Sequence, residues 1–444
     1  MQKYENNQRT RIAVTDIDGI LRGKYINVEK LKKAVENGFG FCNVVFGWDI
    51  KDICYENSKV SGWHTGYPDA IAKVDLNTKR EVPWDGNTPF FLADFSDAKS
   101  EIQQVCPRTL LKTIRQQCLD MGYQPFFSNE YEWFNFKETP QSLSDKNYVQ
   151  PKPLTPDMFG YSLLRMSLNQ NYVNDLFEQL TEFNVPLEGL HTETGDGVYE
   201  AAIVYSDVLE AADRAILFKT SVKEIAYRHQ IMASFMAKWN VNLPGCSGHI
   251  HQSLWDEGKT KNLFYDADNQ NNISPLMQHY IAGQLHCLPH ILPMFAPTVN
   301  SYKRLVAGSW ASVSASWGIE NRTTALRVIP HQENSMRLET RVPGADANPY
   351  LAMAASLAAG LYGIKHQLPL DIEATKGNEY ENKQNQALPN NLWIATQAMK
   401  SSPIAQKLFG EAFTDHFIRT REWEWQQYEQ QVSDWELRRY FELV

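Results

Sequence analysis

Short runs of alternating character dominate the first hundred residues, and apolar positions at helical spacing become frequent only beyond them. Ile12-Ala13-Val14, Gly40–Phe46 and Pro89–Ala93 read as strands, and Val28–Asn37 carries Leu31, Ala34 and Val35 at helical spacing. Between Gly47 and Asp69 lies a loop rich in glycine, aromatic and acidic residues, a content that suits binding or an interface. Polar residues from Ser96 to Pro107 mark a boundary, followed by an amphipathic helix over Thr109–Gly122. Gln124–Phe136 is aromatic enough to be a strand, residues 140–160 read as a flexible loop, and Asn171–Phe183 and Ser206–His229 read as helices. Leu326–Ile329 and Ser335–Val342 read as further strands, and if the glycine-bounded stretch Gly245–Leu254 is a strand its two histidines share a face. From Asn348 onward the pattern is mainly helical, with an aromatic end (Trp423, Trp425, Tyr428, Trp435, Tyr440, Phe441) expected to dock. No internal repeat is visible.

Composition narrows the class. At 444 residues the chain is long enough for two or more domains, and 43% hydrophobic with 21% charged residues describes an ordinary globular protein. A net charge of −9 without a Lys/Arg-rich run argues against nucleic acid, although a local site still suits an anionic nucleotide. Six cysteines lie far apart with no C-x-x-C pair, as expected of reduced thiols in the cytoplasm. The polar start, MQKYENNQRTR, lacks the apolar core of a signal peptide. The apolar run Tyr350–Ile364 is shorter than the ~20 residues that span a bilayer, so it reads as a buried helix and no membrane is implied.

The chemistry lies in strands that put ionisable residues on one face. Glu130 and Glu132, His249 and His251, and Arg337, Glu339 and Arg341 all recur at period two. Glu193 and Glu200 flank a Gly-x-Gly turn, so a hairpin brings them together. If these strands share one curved sheet, its polar face needs compensation, because buried charges persist only when paired or metal-bound. Several carboxylates with one imidazole suit a hard divalent ion such as Mg²⁺ or Mn²⁺, and arginines beside them suit phosphate or carboxylate. Together they suggest phosphoryl transfer.

Seven motifs stand in order along the chain: Asn129-Glu130-Tyr131-Glu132, Glu193 with Glu200, Gly245 with His249-Ile250-His251-Gln252-Ser253-Leu254, Asn300–Val306, Asn321-Arg322, Arg337–Arg341 and Asn348–Leu351. Together they resemble the glutamine synthetase family over nearly the whole chain, both the bacterial type and its glutamate–amine ligase relatives of the γ-glutamylpolyamine synthetase kind. The resemblance implies an α+β fold, with a small β-grasp-like N-terminal domain (1–104). A large catalytic domain (105–444) follows, built on a curved antiparallel sheet flanked by helices. It implies one metal held by Glu132, Glu193 and Glu200, and a second, bridging ATP phosphates, held by Glu130, His249 and Glu339. His251, Ser253, Arg327, Arg337 and Glu188 match the nucleotide side. Arg304, the backbone of Gly245, Glu132 and Arg341 match the glutamate side, and Arg322 and Arg341 face the transferred phosphate. An acidic residue reaches the neighbouring subunit's site, with Asp49 and Asp52 both candidates. Family members assemble as rings of six, usually stacked to twelve, with sites between subunits.

The implied reaction has two steps: the glutamate γ-carboxylate attacks ATP to give γ-glutamyl phosphate, and an amine nitrogen then displaces phosphate. This sequence departs from the family around the second step. Where ammonia-using members carry a glutamate after the Asn-Ser-Tyr-Lys-Arg motif, Trp310 stands here. An indole suits an apolar substituent or a cation over its face. Asp196-Gly197-Val198 replaces a Pro-Gly-Gln turn, Trp239 replaces a proline, and the adenylylation motif is not recognisable. The expectation is a glutamate–amine ligase; the alternatives are glutamine synthesis from ammonia and a non-catalytic structural relative.

Overall fold

The computed structural model describes residues 9–95 and 101–444. Six strands form the first sheet: β1 (Thr10–Thr15), β2 (Leu21–Ile26), β3 (Phe39–Cys42), β4 (Asp69–Val74), β5 (Arg80–Val82) and β6 (Thr88–Asp94). Their order is β2-β1-β6-β4-β3 with β5 on β6, and only β1 and β6 run parallel. The helix Val28–Asn37, capped by Asn27, buries Leu31 and Ala34 against Ile12, Val14, Phe46, Phe91 and Phe95.

Nine strands form the second sheet: β7 (Gln124–Phe136), β8 (Leu187–Thr192), β9 (Val198–Ile203), β10 (Ser206–Asp207), β11 (Met232–Ser234), β12 (Gly248–Trp255), β13 (Trp317–Ile319), β14 (Leu326–Ile329) and β15 (Arg337–Thr340). The order is β13-β14-β15-β12-β7-β9-β8, with β10 and β11 also paired to β7. All neighbours are antiparallel except β13 and β14.

Period two splits this sheet into two unlike faces. On β7, Phe127, Tyr131 and Trp133 are buried, and the last two rings meet Phe218 of the helix Val208–Arg228 at 5.8 and 5.5 Å. On β12, Ile250, Gln252 and Leu254 point the same way. Gln252 is buried but fully bonded, accepting from Tyr280 (2.7 Å) and Gln284 (2.8 Å) and donating to Thr340 (2.7 Å). Behind them the helices Pro275–Ile291 and Pro349–Lys365 pack so closely that a Cβ on Gly363 would lie 2.0 Å from the His279 carbonyl. The Ala/Gly-rich run is thus a buried helix, and no helix among the described residues is long and apolar enough to cross a membrane.

Four expectations change. The run through Phe46 leaves the strand at Cys42 and turns as a 3₁₀ helix, which lets the adjacent Val45 and Phe46 both be buried. Residues 140–145 form a capped helix rather than a loop, because Thr139 and Ser142 bond each other's backbone amides. The strand expected to reach Val342 ends at Thr340, shortly before Pro343. At the C-terminus Trp423 is buried, but Trp435 and Phe441 are 56% and 84% exposed, so the aromatic end does not dock within the chain. The domain boundary expected within 96–107 falls partly on residues 96–100, outside the described residues.

Candidate functional site

The opposite face of the second sheet carries the chemistry. Register sets Glu130 of β7 opposite His249 of β12, His251 opposite Glu339 of β15, and Glu200 of β9 between Glu132 and His191. The His249 Nδ1 lies 3.3 Å from Glu130 Oε1 and 3.2 Å from Glu339 Oε1, while His251 Nε2 lies 3.7 Å from Glu130 Oε2. Ligand atoms of Glu130, His251 and Glu339 all fall within 4.8 Å of one another, as do those of His191, Glu193 and Glu200. The spacing and the oxygen-rich donors fit divalent cations. The buried Nε2 of His249 has no hydrogen-bond partner among the described residues.

Electrostatics follow this crowding. Burial alone would raise the Glu130 carboxyl, but hydrogen bonds from both imidazoles hold it well below the usual carboxylate range. Glu339 is held at about 2 against its own desolvation, first by the Arg341 charge and then by His249. Burial and the Arg341 charge push the His249 ring below its ordinary value, the direction a neutral metal-ligating imidazole needs. Burial, partly offset by the His191 hydrogen bond, together with repulsion from Glu130 and Glu132, pushes Glu200 up to about 8. Desolvation opposes the charged His191 ring, yet its hydrogen bond to Glu200 lifts it to about 9. This end of the site concentrates more negative charge than its own cations balance.

Five arginines line the same cavity. Arg304 is 3% exposed and donates to the carbonyls of Val342 (2.9 Å) and Arg341 (3.1 Å), with no carboxylate within 4.0 Å among the described residues. Gly245 lets this side chain lie against the backbone, since a Cβ there would come within 2.9 Å of Arg304 Cγ. Arg341 bonds Glu339 at 2.6 Å, and Arg327 bonds both Glu339 (3.1 Å) and Glu320. Arg337 donates to His251 Nδ1 (3.2 Å) and the Ser335 carbonyl, and Arg322 is exposed on the rim.

Two cavities share this surface. The larger, about 480 Å³, contains the carboxylates of Glu130, Glu132, Glu193 and Glu200, the three imidazoles of His191, His249 and His251, Gly245, and the five arginines at 304, 322, 327, 337 and 341. The smaller, about 360 Å³, is lined by Glu188, Ser253 and the rings of Phe126, Tyr205 and Trp255, and shares Glu130, His251 and Arg337 with the first. A charged chamber thus opens beside an aromatic one, an arrangement suited to a polyanion with a flat ring system.

Most residues singled out from the sequence therefore converge. Glu339 is wholly buried behind the rest, reached through His249, Arg327 and Arg341. Trp310 lies on the larger cavity's rim, 59% exposed at φ 59°, with its carbonyl accepting from Arg341 (3.4 Å). Asp49 and Asp52 line neither cavity. Both Asp49 oxygens are committed within the subunit, to the amides of Lys51 and Ile53 and to the Trp423 indole at 3.1 Å. Asp52 is exposed at φ 63° and pairs with Arg22 at 2.7 Å. Sequence reasoning assigned no role to Tyr161 or His191, which stack at 4.4 Å inside the larger cavity. His191 stands two residues before Glu193, the period-two signal that marked the other pairs.

Comparison with known proteins agrees with this geometry. Residues 104–440 match the model of the glutamine synthetase catalytic domain. The chain is 49% identical over 445 residues to type-1 glutamine synthetase 2 of Dictyostelium discoideum, covering 100% of this chain and 85% of that one. It is 34% identical to the glutamate–isopropylamine ligase of a Pseudomonas species (99% and 96% covered) and 33% identical to the gamma-glutamylethanolamide synthetase of Streptomyces coelicolor (98% and 92%). A solved GmaS/ADP complex superposes with a TM-score of 0.86 at 26% identity, covering 99% of this chain and 98% of that one. Carboxylates, imidazoles and arginines gathered on one sheet face, and matches that run the length of the chain, lead to one conclusion: the chain belongs to the glutamine synthetase family and is a ligase that forms C–N bonds.

Proposed function

We propose that this ligase joins the γ-carboxylate of glutamate to a small primary amine, with ATP supplying the phosphoryl group. Glutamate enters the larger cavity with a carboxylate on Arg304, whose buried guanidinium has no carboxylate within 4.0 Å among the described residues and matches that group. ATP lies across both cavities, its base among Phe126, Tyr205 and Trp255 and its phosphates toward His251 and Arg337. Glu132, Glu193 and Glu200 would hold one divalent ion and Glu130, His249 and Glu339 a second; bound there, Mg²⁺ or Mn²⁺ neutralises phosphate oxygens. Arg322 and Arg341 orient the γ-phosphate for in-line attack by the glutamate oxygen, giving γ-glutamyl phosphate and ADP. The amine then attacks the acyl carbon, phosphate leaves, and the carboxylate end of the cavity accepts the proton lost from nitrogen. Asp52, exposed where Asp49 is not, is the better candidate for reaching a neighbouring subunit in a ring of identical chains.

Trp310 carries the choice of acceptor. It stands where ammonia-using members carry a glutamate and offers an indole face to an alkyl group. The two amine-ligase relatives favour this reading, and the 49% identical glutamine synthetase favours the runner-up, ammonia. Phosphate release with glutamate and ATP, measured across ammonium and a panel of primary amines, separates them. A short alkylamine should exceed ammonium in kcat/KM by tenfold or more, on the order of one apolar contact's worth. Trp310→Glu should narrow that ratio. Saturation at low ammonium with no amine preferred would sink the amine reading.

A further inference from the structure

We propose that His191 is a direct ligand of the metal held by Glu193 and Glu200, and that this nitrogen donor biases that site toward Mn²⁺ over Mg²⁺. The inference rests on the reading of this carboxylate cluster as a metal site. Its Nε2 lies 3.0 Å from Glu200 Oε1 and its Nδ1 3.7 Å from Glu193 Oε2. The ligand atoms of these three residues fall within 4.8 Å of one another, a compact set that does not include Glu132. Glu132 stands opposite Glu200 in the sheet register, but its Oε2 accepts the Ser247 amide at 2.7 Å, so one oxygen is already committed.

The ring is also oriented as a ligand needs to be. His191 Nδ1 lies 3.1 Å from the Thr192 carbonyl, which can only accept, so Nδ1 carries the hydrogen there. In the neutral ring Nε2 then turns its lone pair toward Glu200 Oε1 at 3.0 Å; a shared proton fills that gap when no ion is bound, and an ion that displaces the proton meets both donor atoms side by side. Metal-ligating histidines commonly show this pattern, one nitrogen on the ion and the other donating to a backbone carbonyl. Tyr161 lies over the imidazole with centroids 4.4 Å apart and planes 30° apart, holding the plane of the ring. Strand pairing fixes the rest, because His191 and Glu200 are register partners on β8 and β9.

An imidazole changes the choice of ion. Mg²⁺ is hard, keeps its waters and favours oxygen-only octahedra, whereas Mn²⁺ tolerates mixed nitrogen and oxygen ligands. The experiment uses the full chain, stripped with chelator and titrated with Mn²⁺, read by pulsed electron paramagnetic resonance for directly bound imidazole nitrogen. The unmutated protein should show two such nitrogens, one for each bound ion. The one abolished by His249→Asn belongs to the second site, and His191→Asn should abolish the other while leaving the first intact. That surviving signal also reports a folded sheet. Mn²⁺ affinity of the affected site should fall about tenfold or more, and Mg²⁺ affinity by less. A single nitrogen in the unmutated protein, traced to His249, would overturn the proposal, as would unchanged Mn²⁺ affinity in His191→Asn. Absence of any Mn²⁺ binding would instead remove the metal reading on which it rests.

Discussion

Around Arg108 one guanidinium meets three aspartates, bonding Asp213 through two nitrogens (2.9 and 2.8 Å), Asp94 at 2.6 Å and Asp75 at 2.9 Å. Lys112 adds a second cation on Asp94, and the Tyr350 hydroxyl donates to Asp213 at 2.6 Å. Every ion in that cluster has a partner, and the contacts tie the first sheet to the helices behind the second. On the polar face of the second sheet, by contrast, Arg327 and Arg341 pair with Glu339, but among the described residues Glu132, Glu193 and Glu200 have no lysine or arginine within 4.0 Å and Arg304 has no carboxylate within that distance. Both regions bury charge. Charge closed upon itself holds the fold together; charge left open around a cavity is available to ligands.

The largest effect should come from breaking the closed cluster. Arg108→Ala leaves Asp94 and Asp213 buried without their main cation and should cost about 3–5 kcal/mol of stability in urea unfolding. Glu339→Ala, in the open cluster, should weaken metal and nucleotide binding together, each by about tenfold or more, as measured by calorimetry. Unchanged nucleotide affinity in the presence of metal would place Glu339 outside the site. Smallest and opposite in sign is Glu200→Gln. The folded, metal-free chain holds a proton on Glu200 up to about pH 8, whereas the unfolded carboxyl releases it near 4.5. Metal-free stability should therefore fall as pH rises from about 4.5 to 8, and Glu200→Gln should flatten that slope. At pH 8 in chelator the variant should be more stable by ~1 kcal/mol while losing metal binding, the stability–function opposition expected of an active site.

This contrast also explains what was legible beforehand. Period-two pairs on β7, β12 and β15 were visible in the chain because a strand displays its chemistry every second residue. Which strands lie side by side is a long-range fact, and there the ordered motifs substituted for geometry. His191 escaped assignment because Glu200, its partner, lies across a hairpin. Asp49 read as a candidate for a neighbouring site, yet Trp423, 374 positions away, claims one of its oxygens. The Arg108 cluster left no signal at all, since Asp75, Asp94 and Asp213 are scattered singly along the chain. The exposed aromatics of the last helix, Asp434–Tyr440, read as docked from composition because composition does not say what covers a ring.

Isotope transfer tests the open cluster's function most directly. Glutamate labelled with ¹⁸O in its γ-carboxylate would be turned over with ATP, Mn²⁺ and a short alkylamine, and the released phosphate analysed by mass. One ¹⁸O should appear in each phosphate, alongside a γ-glutamyl amide, because the glutamate oxygen attacks phosphorus before nitrogen displaces it. Amide formed with unlabelled phosphate would contradict the acyl-phosphate route and the placement of glutamate between Arg304 and the carboxylate cluster.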